Sequence, residues 1–242
     1  MAPDWLRRAF GWWGRGHARK LILGGLDGLH VSGLDAAKAE IARRPVIFAA
    51  NHSAWWDGVL MVALNERMGV DSRVLMDSKR MRDFPWFQAF GAVPLDRTAT
   101  GKSHADLARA AAHLNGPGRC LWIFPQGKHR SPNLRPLGLR SGVQVVSEAT
   151  EAAVVPVAIR YEFQELAVPG AFVHFGPAVE PGPELLPRLE QALIDGLHHI
   201  TAGLDAPEAR FELLLPGRPP GGLGSAALRQ MWNLFARGGQ RA

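Results

Sequence analysis

Short apolar runs alternate with amphipathic segments along most of the chain. The runs are rich in β-branched and aromatic residues and are bounded by Gly, Pro or polar residues, a pattern that favours buried strands. The predicted strands are 26–33, 45–50, 73–76, 92–95, 119–124, 154–163 and 172–175. The predicted helices are 58–68, 102–114, 138–149 and 185–204, and 35–44 is a short helix or a loop. Alternation of strands and helices predicts a single α/β domain whose mixed, mostly buried β-sheet is covered by helices.

Amphipathic patterns also occur at both ends of the chain. Two apolar helical faces are predicted, one formed by Trp5, Phe10, Trp12 and Trp13, the other by Leu228, Met231, Trp232 and Phe235. Arg residues on the opposite faces make this the composition of helices that lie at a membrane surface, although packing on the domain itself is the alternative. We therefore divide the chain into an N-terminal membrane-facing segment (1–25), an α/β domain (26–205), and a linker with a C-terminal amphipathic helix (206–242).

The charge and residue composition indicate which kinds of partner the protein binds. Lys and Arg number 28 against 22 acidic residues, and the formal net charge of +6 favours an anionic partner. Trp residues cluster with Arg on the amphipathic segments instead of following a basic sheet face, which argues against nucleic acid. No apolar run approaches the ~18 residues of a membrane span, and Arg and Gly interrupt any N-terminal signal-peptide core. The single cysteine, Cys120, excludes an intramolecular disulfide and fits a reducing compartment. The protein is therefore expected to be peripheral, on the cytoplasmic face of a membrane.

The most informative stretch follows the apolar run 45–50 directly. It reads Asn51-His52-Ser53-Ala54-Trp55-Trp56-Asp57-Gly58, and a helical pattern with Ser53 as a possible N-cap comes after it. Polar residues at the carboxyl end of a buried strand lie where open α/β sheets place their chemistry.

His52 and Asp57 have a spacing that suits acid–base chemistry. Five positions apart, they would lie ~140° apart on one regular helix and could not touch. If His52 lies in the loop and Asp57 on the first helical turn, the carboxylate can hold one ring nitrogen and leave the other free as a base. The alternative is an ordinary capping turn, with a hydrogen-bonded His and an Asp favoured by the helix dipole.

Four ordered blocks resemble the glycerolipid acyltransferases, the group that includes the 1-acylglycerol-3-phosphate acyltransferases. The first is the HX4D motif of His52 and Asp57, with Asn51 before it. The other blocks are Gly91-Ala92-Val93-Pro94-Leu95-Asp96-Arg97, then Phe124-Pro125-Gln126-Gly127, then Val154-Val155-Pro156-Val157-Ala158-Ile159. The resemblance spans roughly residues 26 to 180 and implies a lysophospholipid acyltransferase of phospholipid biosynthesis.

The third block departs from the family pattern Phe-Pro-Glu-Gly-Thr-Arg. Gln126 replaces Glu, Lys128 replaces Thr, and His129 occupies the position of Arg, with Arg130 one place later. Gln keeps the size and an acceptor oxygen but loses the charge, so a positional role is retained and a role that needs negative charge is lost. The identity of the acceptor is therefore open: a lysophosphatidate, a non-phosphate lipid alcohol such as a glycosylated carotenoid, or no acceptor at all in a non-catalytic lipid-binding homologue.

The resemblance also implies roles for individual residues. His52 and Asp57 are the catalytic pair, and the acyl donor is a thioester, either acyl-CoA or acyl carrier protein. Arg97 corresponds to the arginine assigned to acceptor phosphate. The expected substrate contacts are Asn51, Arg97, Gln126, Gly127, Lys128, His129 and Arg130, with oxyanion donors from the backbone near Gly127. No His or Cys spacing is typical of a metal site and no dinucleotide or Walker loop occurs, so no metal and no further cofactor are expected.

Overall fold

One eight-stranded sheet organises the residues that the structure, a computed structural model, describes, namely 16–83, 85–164 and 167–217. The strands are β1 (Gly28–Ser32), β2 (Val46–Ala50), β3 (Asp71–Asp77), β4 (Ala92–Leu95), β5 (Arg119–Ile123), β6 (Ala153–Glu162), β7 (Gly170–Phe175) and β8 (Glu212–Pro216). The helices are α1 (16–25), α2 (Leu34–Arg43), α3 (Trp56–Met68), α4 (Ser78–Asp83), α5 (Thr100–Ala111), α6 (Gly142–Thr150) and α7 (Leu185–Ala202). Short 3₁₀ turns span Pro85–Phe90 and Pro207–Ala209.

The strand order is β4-β3-β5-β2-β6-β7-β1-β8. The five strands from β4 to β6 are parallel, so their carboxyl ends meet at one edge of the sheet. β7 runs antiparallel to β6, and β8 runs antiparallel to β1. The sheet is thus mixed, as the alternating pattern predicted, and β2 lies near its centre with the HX4D motif at its carboxyl end.

Both faces of the sheet are covered, which explains why its central strands are apolar throughout. All five residues of β2 are buried, as expected for a parallel strand between two helical layers. One hydrophobic cluster joins α1, α2 and α3 to the face that carries Phe48 and Trp122. The other joins α5, α6 and α7 to the face that carries Ile47 and Leu121. Within the described ranges, none of the helices has the length and apolar character needed to cross a bilayer.

The structure shows three features that the sequence pattern did not predict. The segment 206–242, expected to be a linker and a helix, contains strand β8, which pairs with β1 at one edge of the sheet. Helix α1 lies in the segment expected to face a membrane, yet Ala18 and Ile22 are buried in the core. Ser53 does not cap α3, since its hydroxyl is buried without a hydrogen-bond partner and α3 begins at Trp56. The two predicted amphipathic faces, with Trp5 to Trp13 and Leu228 to Phe235, lie outside the described residues.

Candidate active site

His52 and Asp57 form a direct pair at the carboxyl end of β2. His52 lies in the loop and Asp57 on the first turn of α3, and the imidazole Nδ1 is 2.7 Å from Asp57 Oδ2. The same oxygen accepts the backbone N–H groups of Ser53 at 2.9 Å and Ala54 at 3.1 Å. The Asp57 side chain is fully buried, and these donors and the helix N-terminus stabilise its negative charge. The predicted contact between imidazole and carboxylate is present.

The second oxygen of Asp57 is held by a residue that the sequence did not point to. Tyr161, near the end of β6, donates its hydroxyl to Asp57 Oδ1 at 2.6 Å. Burial, and then the neighbouring charge of Asp57 and this hydrogen bond, raise the pKa of Tyr161, so its proton stays in place. The only hint in the sequence is that this is the chain's one tyrosine and that it follows the apolar run of the fourth motif block.

One nitrogen of the His52 ring remains for chemistry. Because Nδ1 faces Asp57, Nε2 is the atom that can accept a proton from a substrate. The ring is packed against Phe124, with centroids 4.5 Å apart, and meets His129 edge-to-face at 4.1 Å. Desolvation, and then the charge of His52 and Arg80, lower the pKa of His129, which favours a neutral second imidazole beside the first. The site therefore holds one His oriented by a carboxylate and one that is not.

Asn51 and Gln126 were expected to contact substrate, and the structure gives both of them a different role. Asn51 is buried, donating to the Ile159 carbonyl at 3.0 Å and accepting the Ile159 N–H at 2.7 Å, so its amide joins β2 to β6. Gln126 is also buried, accepting the His52 N–H at 2.7 Å and donating to the Leu137 carbonyl at 3.1 Å. Since both amides are engaged at both ends, these residues shape the His52 loop instead of facing a ligand.

Arg97 reaches the same edge of the sheet from the end of β4. Its Nη1 donates to the Gly127 carbonyl at 3.0 Å, and its Nη2 pairs with the carboxylate of Asp77 at the end of β3. Burial acts to raise the pKa of Asp77, but the hydrogen bonds from Arg97 and from the Lys79 N–H outweigh it, so this pKa lies below its ordinary value. Arg97 thus lies where the family resemblance expects it, with a carboxylate partner that the sequence did not reveal.

The loop after β5 is held in a tight turn. Gly127 has φ +66°, a conformation that favours glycine, and a Cβ there would lie 2.5 Å from Arg97 Nη1 and 3.0 Å from Arg140 Nε, so a larger residue would displace the two guanidinium groups. An oxyanion donor was expected from the backbone near Gly127. The Gly127 N–H itself donates to the Phe124 carbonyl at 2.9 Å, so it is already engaged within the loop. Beyond it, Lys128 and His129 are exposed, and the Arg130 N–H donates to the His52 carbonyl at 2.8 Å.

A cavity of about 1320 Å³ opens beside this constellation. His52 lies on its wall together with cationic side chains, which are Lys79, Arg80, Arg97, Lys128 and Arg140. The remaining wall is mostly apolar, with contributions from α1, α3, β3 and the 3₁₀ turn Pro85–Phe90. In the part of the chain that the structure describes, no group of three or more His, Cys, Asp or Glu side chains is arranged to hold a metal ion. A base, a cluster of cations and an apolar cavity therefore lie together.

Comparison with known proteins identifies the family of this chain. The family model described as Acyltransferase matches residues 28–160, more than half of the chain. The fold is similar to that of the 1-acyl-sn-glycerophosphate (LPA) acyltransferase PlsC from Thermotoga maritima, with a TM-score of 0.55 and 15% sequence identity over 81% of this chain and 80% of that chain. No match was found among curated proteins. The resemblance drawn from the four motif blocks is confirmed: this chain belongs to the acyltransferase family and is an acyltransferase.

Proposed function

We propose that this protein transfers a fatty acyl group from an acyl thioester, acyl-CoA or acyl carrier protein, to the hydroxyl of a lysophospholipid such as 1-acylglycerol-3-phosphate. The observation that carries the proposal is the His52–Asp57 pair, whose imidazole lies on the wall of a large apolar cavity. A base supported by a carboxylate suits the activation of an alcohol, and an apolar cavity suits a long-chain lipid.

The chemistry requires no protein nucleophile. His52 Nε2 takes the proton of the acceptor hydroxyl as its oxygen attacks the thioester carbonyl, and Asp57 stabilises the imidazolium that forms. The tetrahedral intermediate collapses with cleavage of the carbon–sulfur bond, and the departing thiolate takes the proton from His52. The products are an ester and a free thiol, and His52 is again neutral. Tyr161 keeps Asp57 in place throughout, since its hydroxyl proton is bound too tightly to enter the reaction.

The charge around the cavity supports an anionic substrate. Arg97 and Arg140 flank Gly127, and Lys128 lies on the same wall of the cavity. Guanidinium groups match phosphate oxygens in geometry as well as charge. A phosphate on the acceptor, or on the carrier arm of the donor, would be stabilised here, and Arg130 in the same loop would add to the positive field.

One observation favours a second class of acceptor, a lipid alcohol without phosphate such as a glycosylated carotenoid. Arg97 is already paired with Asp77, so a phosphate must compete with a carboxylate for its strongest contact. A sugar hydroxyl would meet no such competition, because it can donate to Asp77 and accept from Arg97 together. The two classes are therefore distinguished by what happens at the Asp77–Arg97 pair.

We further propose that the enzyme works as a peripheral protein at the cytoplasmic face of a membrane. Trp55, directly before α3, is 63% exposed and lies on the cavity wall, and Leu23 on α1 is also exposed. Arg19 and Lys20 are exposed on the same helix α1, whose Leu21 lines the cavity. An exposed Trp, and basic residues on a helix that lines the same cavity, suit a lipid headgroup layer, and a reducing compartment suits a chain whose one thiol is buried.

The deciding experiment measures thiol release from acyl-CoA and from acyl carrier protein with a panel of acceptors. We expect turnover with lysophosphatidate and its loss in His52→Ala. The matched control is His198→Ala, which removes an exposed imidazole of α7 that is not among the residues lining the cavity, and it should retain the activity. Turnover of a glycosylated lipid alcohol with none of lysophosphatidate would support the second acceptor class. No acceptor-dependent thiol release with any acceptor would overturn the proposed function.

A further inference from the structure

Strands β3 and β5 stop pairing where the cavity begins. Their pairing ends at Val74 and Trp122. Beyond that pair β3 continues to Asp77 beside β4 alone, while β5 continues to Ile123. The side chains of Leu75 and Ile123, just past the last pair, both line the cavity. The cavity therefore occupies a split in the carboxyl edge of the sheet, not a hollow on one face.

Because it lies in a split, the cavity reaches both faces of the sheet. One part, which we name the α3 lobe, is lined by Ala18, Val59, Val62 and Met76, all of which pack with the cluster under α1 to α3. The other part, the α5 lobe, is lined by Leu75, Leu95, Leu107, Ile123 and Val143, which pack with the cluster under α5 to α7. Adjacent residues of one strand, Leu75 and Met76, thus line different lobes, as the alternation of side chains along a strand requires.

The size of the cavity suits more than one ligand group. Pockets for single small ligands are usually ~300–1000 Å³. The volume of about 1320 Å³ exceeds that range, and its two lobes are apolar. A transferase that joins two lipids must hold two hydrocarbon chains, one from each substrate, with their reacting ends at the same base.

The cations of the site distinguish the two lobes. Arg97 and Arg140 lie side by side at Gly127, and Arg140 comes just before α6, whose Val143 lines the α5 lobe. A lysophospholipid carries its phosphate only a few bonds from its ester-linked chain, so a phosphate at these guanidinium groups places the chain in the lobe beside them. An acyl thioester keeps its phosphates at the far end of a long carrier arm, so its acyl chain needs no cation at the mouth of its lobe.

We propose that the cavity binds two hydrocarbon chains at once, one on each face of the sheet. The α5 lobe takes the chain of the lysophospholipid acceptor, and the α3 lobe takes the acyl chain of the thioester donor. This assignment rests on the proposed function for the identity of the two lipids. That two chains are bound follows from the split sheet and is tested without turnover.

The matched pair Leu75→Phe and Met76→Phe tests the assignment, because each change adds bulk to one lobe only. Leu75→Phe should raise the KM for long-chain lysophosphatidate about tenfold and leave the KM for acyl-CoA unchanged, since pocket fit at this scale discriminates by roughly that factor. Met76→Phe should do the reverse. Leu95→Phe, in the same lobe as Leu75, repeats the test if Leu75→Phe melts at a lower temperature than the wild type.

A binding titration separates this inference from the proposed function. cis-Parinaric acid, a fluorescent long-chain fatty acid, should bind the wild type at two sites, and Leu75→Phe and Met76→Phe at one site each. Two binding sites for cis-parinaric acid, without turnover of any thioester, would contradict the proposed function but support the two-chain cavity. One site in the wild type, or the same substrate affected by both variants, would overturn the two-chain cavity whatever the enzyme's activity.

Discussion

The hydroxyl of Tyr161 donates to Asp57 Oδ1 at 2.6 Å, on the carboxylate whose other oxygen holds His52. Hydrogen bonds to an ionised group stabilise it and draw part of its negative charge away from other partners. Tyr161 therefore sets part of the electrostatic interaction between Asp57 and the His52 imidazolium. It is a positioning residue more than a hundred positions away in the sequence.

Replacing Tyr161 with Phe should shift the pH dependence of the reaction. Without the phenol, the charge of Asp57 is concentrated on His52, the imidazolium is favoured, and a higher pH is needed to obtain the neutral base. The acidic limb of the kcat/KM profile should therefore move to higher pH. The measurement is thiol release from pH 5 to 9, and superimposable profiles would show that Tyr161 acts only in packing.

Replacing His52 with Ala should reduce kcat by ~10²–10⁴-fold, the usual contribution of a general base. Asp57→Asn should also cause a large loss, because the neutral amide stabilises neither the imidazolium nor the required tautomer. Asp57 also anchors the Ser53 and Ala54 N–H groups, so its variant must be shown by circular dichroism to remain folded. Near-wild-type thiol release in both variants would remove the pair from the mechanism.

Local contacts account for what the sequence predicted correctly. The His52–Asp57 pair spans five positions, and the apolar run of β2 places it at a strand end, so composition and spacing suffice to locate it. The contacts that were missed join distant segments: Tyr161 meets Asp57 across 104 positions, and Gln126 meets His52 across 74. Such contacts depend on the strand order, which a periodic pattern does not contain.

The edge strand β8 was missed for a related reason. Three of its five residues are leucine and proline closes it, but it follows a helix and polar turns and has the length of an ordinary loop. Its pairing with β1, at the opposite end of the described chain, is what makes it a strand. For Asn51 and Gln126, a motif position shows that a polar side chain is required but not which way it faces, and in the structure both amides are hydrogen-bonded within the protein.

Gln126→Glu should lower the melting temperature at neutral pH. A carboxylate can still accept the His52 N–H, but it cannot donate to the Leu137 carbonyl, and a buried unsatisfied group costs ~1–3 kcal/mol, or about 2–4 °C per kcal/mol for a chain of this size. Burial raises the pKa of the introduced carboxyl above that in the unfolded chain. The loss is therefore present at neutral pH and diminishes as the pH falls and the carboxyl regains a proton.

Gln164→Glu is the matched control for this change. Its amide also donates to a backbone carbonyl, that of Leu204 at 2.9 Å, but on the surface. Its melting temperature should differ little from the wild type at any pH. A Gln126→Glu variant as stable as the Gln164→Glu variant at neutral pH would show that the pocket around residue 126 accommodates a charge.

Arg97→Gln and Asp77→Asn should have opposite effects on a phosphate-bearing acceptor. Loss of the guanidinium should raise the KM for lysophosphatidate by about tenfold or more, since hydrogen bonds to charged groups contribute ~1.5–3 kcal/mol. Asp77→Asn removes the competing carboxylate and should lower that KM. Arg135→Gln is the control, because Arg135 is exposed and bonded to nearby carbonyls in its own loop. Equal responses with phosphate-bearing and phosphate-free acceptors would count against a phosphate at Arg97.

The exposed indole of Trp55 is expected to attach the protein to a membrane. Trp55 is 63% exposed on the wall of the cavity, so a lipid chain entering from a bilayer would pass close to it. The protein should pellet with anionic liposomes at low salt and less at high salt, because each basic residue near the surface contributes ~1 kcal/mol that salt screens. Trp55→Ser should weaken pelleting while leaving the melting temperature unchanged, since an exposed side chain adds little to the core.

Leu213→Ser is the control. It also replaces an exposed apolar side chain with serine, but on the edge strand β8, and it should leave pelleting intact. Equal pelleting by Trp55→Ser and the wild type would place the membrane contact elsewhere, and an equal loss in Leu213→Ser would show that pelleting reports general surface hydrophobicity and not an oriented active site.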